Sequence, residues 1–72
     1  MAVQELYNYL LDEYGGRKCW ISEIAEHFQI SRSDANTLTI ALGFKRGVCK
    51  SHKSLVEFSN NPDVKRVLGR IK

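Results

Sequence analysis

Val3, Leu6, Tyr7, Leu10, Leu11 and Tyr14 recur with the period of an α-helix, and the pair Gly15-Gly16 then cuts the pattern off. Similar breaks return at Gly43 and at Asn61-Pro62, so no apolar segment grows long. A chain divided in this way must build its core from several short elements packed on one another. Residues 2–14 form the first of these, an amphipathic helix with Glu5, Asn8, Asp12 and Glu13 off the apolar stripe. With 72 residues, 43% hydrophobic and 10% aromatic, there is material for one core and hence one domain. No run approaches the roughly 20 apolar residues of a membrane helix. The N-terminus also lacks the basic, apolar, small-residue order of a signal peptide. A cytoplasmic protein without membrane contact is the expectation.

Residues 17–21, Arg17-Lys18-Cys19-Trp20-Ile21, follow a breaker and are too few for a helix, so they read as a short strand. Ser22 offers a hydroxyl as the N-cap of a second helix, whose stripe is Ile24, Ala25 and Phe28 and which ends near Gln29. Ile30 plugs the turn. Ser31 caps a third helix, with Asp34 three residues on to answer it and to favour the positive helix end. Gly43 closes that helix. Phe44 to Lys50 and Leu55 to Ser59 then read as two strands joined by Ser51-His52-Lys53-Ser54. Asn61-Pro62-Asp63 starts a last helix, residues 62–71, in which Val64, Val67, Leu68 and Ile71 share one face. That stripe is about two turns long and must dock, either beside the first helix of its own domain or on a neighbouring molecule. Self-docking in the free protein, with contact between molecules on DNA, is the expected combination.

Charge is unevenly spread. Residues 1–30 sum to −3 and residues 31–72 to +6, for a net +3. One acidic and one basic half give the chain a polarity towards a phosphate polymer. A solvated basic surface without a partner would show the same balance.

Residues 21–43 resemble the helix-turn-helix family through Ile24-Ala25, Phe28, Ile30-Ser31, Ala35 and Leu38. With the hairpin at 44–59 they resemble its winged branch. The resemblance covers about residues 3–58, and it departs from the family pattern at Gln29, where glycine is common. It implies an α+β fold: a single winged helix-turn-helix domain over 1–72, with three helices, a two-stranded wing and a C-terminal helix. It also implies a double-stranded DNA-binding protein, associated with the nucleoid. A small transcriptional regulator or a DNA-architectural, recombination accessory factor would be of this type. The alternative is a winged-helix protein–protein interaction module that does not bind DNA, with a partner or a second copy on the last helix.

Periodicity marks the candidate reading surface. At about 100° per residue, Ala35, Leu38, Thr39 and Leu42 of the third helix point inward. Ser33, Asn36, Thr37 and Ile40 point outward, with Arg32 at the N-terminal edge. That outward set is short, polar and uncharged apart from Ile40 and Arg32. In a major groove Asn pairs with adenine, Ser and Thr bond either way, and an apolar group meets a thymine methyl. Arg32 would contact a guanine or a phosphate. Lys45, Arg46, Lys50, His52 and Lys53 have no acid among them and would contact phosphates from the wing, and Arg17 and Lys18 would add contacts of that kind.

Other chemistries find little support. The spacings Cys19-x₇-His27 and Cys49-x₂-His52 match no zinc arrangement, so neither metal nor cofactor is expected. The two cysteines read as buried small hydrophobes, since a bridge would need their Cα atoms within about 7 Å. Glu23 and Glu26 have no nucleophile forced beside them, and no glycine-rich phosphate cradle follows a strand. Catalysis is not expected.

Overall fold

The computed structural model describes residues 2–15, 20–44 and 53–71. They form five helices: α1 (Val3–Tyr14), α2 (Ile21–Phe28), α3 (Arg32–Leu42), α4 (Leu55–Asn60) and α5 (Pro62–Leu68). No strand occurs among the described residues. The expected α+β winged helix is therefore corrected to an all-helical arrangement.

Residues 55–59 belong to α4 rather than to the second strand of a wing. Ser54 accepts the Glu57 N–H on its hydroxyl at 3.3 Å, which caps a helix start. Val56 and Phe58 supply the β-branched and aromatic composition of a strand, but in α4 only Phe58 is fully buried while Val56 is 67% exposed. Six residues complete less than two turns, too few for a helical period to declare itself. With one of its two strands a helix, the hairpin of 44–59 cannot form. Residues 45–52, most of its first strand and half of its loop, lie outside the described residues. So do 16–19, which hold most of the strand read over 17–21, and so do Cys19 and Cys49. The end of that strand is also corrected: Ile21 begins α2, and Trp20, not Ser22, occupies the N-cap position without a side-chain cap.

The helices close into a ring. α2 packs on α3, α3 on α5, α5 on α4, and α4 on α1. The last side is aromatic: Tyr9 of α1 stacks on His27 of α2 at 4.4 Å and meets Phe28 edge-on at 5.2 Å. Leu6, Leu10, Ile24, Ala35, Leu38, Leu42, Phe58, Val64 and Val67 fill the ring and are fully buried. α5 thus docks within its own molecule, against α3 and α4. α5 ends at Leu68 rather than at residue 71 as expected; Val64 and Val67 are buried there with Leu68 partly so, and Ile71, three residues beyond the helix, is buried too. Across the gap before α4, the Lys53 N–H donates to the Leu42 carbonyl at 2.8 Å, and the Tyr7 hydroxyl donates to the Lys53 carbonyl at 2.8 Å. That fixes Lys53 at the C-terminal end of α3.

Two helices end in the same way with different residues. After α3, Gly43 takes φ 98°, its N–H bonds to the Ile40 carbonyl at 3.1 Å, and the Phe44 N–H bonds to the Thr39 carbonyl at 3.0 Å. After α2, Gln29 takes φ 56° and ψ 46°. There the Gln29 N–H bonds to the Glu26 carbonyl at 3.3 Å and the Ile30 N–H to the Ala25 carbonyl at 3.0 Å. Gln29 therefore occupies a left-handed position that suits glycine, at the steric cost of a side chain there. Gln29→Gly relieves that cost and adds only glycine's smaller entropic one, so it should stabilise the protein by about 0.5–1 kcal/mol. Thermal unfolding should show Tm raised by about 2–8 °C; an unchanged or lowered Tm would mean that the turn is not strained.

Candidate nucleic-acid interface

The outward surface of α3 follows from what its other side buries. Asp34, Ala35, Leu38, Thr39, Ala41 and Leu42 are buried, leaving Arg32, Ser33, Asn36 and Ile40 exposed and Thr37 half-buried on one stripe. Ile40 is 62% exposed, the largest apolar side chain on that stripe. The Ser31 hydroxyl accepts the Asp34 N–H at 3.0 Å and sets the first turn. The Thr37 hydroxyl donates to the Ser33 carbonyl at 3.0 Å, so towards an outside partner it presents acceptor lone pairs. Thr39 is turned inward and donates to the Asn36 carbonyl at 2.8 Å.

Five of the candidate residues are thus together on one helix: Arg32, Ser33, Asn36, Thr37 and Ile40. Lys53 is exposed and stands at the other end of α3 from Arg32. The eleven residues of α3 set the two backbone positions about 16 Å apart along the axis. Lys45, Arg46, Lys50, His52, Arg17 and Lys18 lie outside the described residues.

One residue at this surface escaped the sequence reading. The Arg70 Nη1 donates to the Asp34 Oδ1 at 2.7 Å, which brings the turn after α5 against the first turn of α3. No local pattern could announce this pair, because 36 residues separate its members. Asp34 was expected to answer Ser31 as a cap; its backbone does so, while its carboxylate turns to Arg70.

A different character marks α1 and α2. Tyr9, Glu13, Tyr14, Glu23, Glu26 and His27 line an open cleft of about 500 Å³. Neither helix carries a Lys or Arg to offset five carboxylates, Glu5, Asp12, Glu13, Glu23 and Glu26. Among the described residues no group of three or more His, Cys, Asp or Glu is placed to hold a metal ion. No helix among them is long and apolar enough to cross a membrane. No protein-family profile matches the chain, and neither the curated proteins nor the solved structures provide a match.

Burial raises the Tyr9 pKa above its ordinary value near 10, and the Glu13 and Glu23 carboxylates raise it further against an opposing hydrogen bond with Tyr14. A raised acid pKa stabilises the fold below pH 10, and that contribution disappears as pH climbs through the folded value. Ultraviolet titration should therefore show a late-ionising tyrosine that vanishes in Tyr9→Phe and ionises earlier in Glu13→Gln. Early ionisation of every tyrosine in the folded protein would refute the acidic, desolvated setting of Tyr9.

Proposed function

We propose that this chain is a double-stranded DNA-binding protein, a small regulatory or architectural factor, that lays α3 in the major groove. One observation carries the reading: α3 presents a stripe of short, uncharged polar side chains plus exposed Ile40, bounded by a cation near each end. An ordinary solvated helix face would be covered with Lys and Glu. Beyond Arg32 the stripe holds no charge and its polar side chains are short enough to meet base edges, while the cations at its two ends neutralise phosphates. Asn36 sits centrally for a bidentate contact to adenine. Thr37 accepts from an amino group of adenine or cytosine, and Ile40 packs on a thymine methyl. α2 crosses behind, as the first helix of a helix-turn-helix does, and the acidic face of α1 and α2 is left facing solvent.

The test is a binding titration on random duplex DNA over a range of salt, followed by selection of a preferred site. Log affinity should fall with log salt at about −0.9 per phosphate contacted. Asn36→Ala should cost about 1–3 kcal/mol at the selected site and little on scrambled duplex. Lys53→Ala should weaken both duplexes alike. Equal loss on both duplexes for Asn36→Ala would exclude base reading there, and absence of duplex binding at low salt would end the proposal.

A further inference from the structure

The ion pair between Asp34 and Arg70 is unequal in its exposure. The Asp34 side chain is 11% exposed and the Arg70 side chain 55%. The carboxylate is thus sunk between α3 and the end of α5, while half of the arginine stands in solvent. Its backbone is anchored on both sides of that point. The Arg70 N–H bonds to the Val67 carbonyl at 2.9 Å, and Ile71 is buried immediately after it.

Position on α3 gives the pair its meaning. At 100° per residue, Asp34 lies on the flank next to Ser33 and Thr37, one step round from the exposed stripe. An unpaired carboxylate there would repel a phosphate at the edge of the groove. Paired, it does the reverse and holds a guanidinium beside the N-terminal end of the reading helix. A guanidinium has five N–H donors in a planar fork, and the bond to Asp34 engages Nη1. With the side chain 55% exposed, the guanidinium remains open to solvent beyond that bond. Arg32 lies at the same end of α3.

We infer that Arg70 is a DNA-backbone contact, placed by Asp34 to meet a phosphate at the N-terminal end of α3. The inference rests on the proposed DNA-binding reading and adds to it a residue from the far end of the chain. Arg70 acts on the phosphate directly, and Asp34 is a positioning residue.

A charge-neutral double variant separates this role from simple neutralisation of Asp34. Asp34→Asn with Arg70→Ala leaves the net charge unchanged and leaves no buried carboxylate without its partner. Arg70→Gln serves as a second variant, since its amide still donates to Asp34. Both are titrated against the wild type on one duplex, with fold checked by circular dichroism. A lost phosphate contact should make the salt slope shallower by about 0.9 and cut affinity about eightfold at 0.1 M salt. Wild-type affinity and slope in whichever variant folds would overturn the inference and leave the α3 reading standing. A wild-type protein that binds no duplex would overturn both.

Discussion

Burial of six of the eleven residues of α3 is the constraint on which the candidate interface depends. A helix with Ala35, Leu38 and Leu42 at zero exposure cannot turn about its axis without bringing a polar residue into the core. A one-residue slip would rotate every side chain by about 100°. The exposed stripe is therefore as well defined as the core. Its direction is set by two supports: α2, delivered through the left-handed turn at Gln29, and α5, delivered through the cap at Asn61. The Asn61 Oδ1 accepts the Asp63 N–H at 2.8 Å and the Val64 N–H at 3.4 Å, so α5 starts at a fixed point directly after α4.

How much of this the sequence disclosed depended on the length of each element. α1 and α3 span enough turns for a 3.6-residue period to appear, and their ends coincide with Gly15 and with Ser31 and Gly43. α5 is short, but Asn61-Pro62-Asp63 announces it. α4 has six residues and reads as a strand from sequence, because Val56 and Phe58 carry strand propensity; packing against α1 and α5 overrides it. The fold class fell with that one element. The outward residues of α3 were legible since they require only the period of one helix. Arg70 was not, because its place depends on how α5 returns across α3.

The charge pattern gains a direction from the fold. All eight Asp and Glu lie in the described residues, with only five of the eleven Lys and Arg. The acids concentrate on α1 and α2, while α3, α5 and the turn after α5 carry Arg32, Lys65, Arg66 and Arg70. Arg66 is engaged with Asp63 at 2.9 Å in an exposed pair of small energetic consequence. In the proposed complex, the acids of the described α1 and α2 would turn a polyanion away from that side and leave the α3 side open to it.

The Asp34–Arg70 pair is better explained by placement than by stability. One partner is more than half exposed, so water screens the attraction, and sinking the carboxylate costs desolvation that a pair of this kind barely offsets. A small apolar residue at position 34 would serve the packing of α3 on α5 at least as well. What it could not do is fix the direction of a guanidinium at the edge of the exposed stripe. The ring of helices holds α3 from within. The ion pair then converts the last turn of the chain into part of the surface that α3 presents.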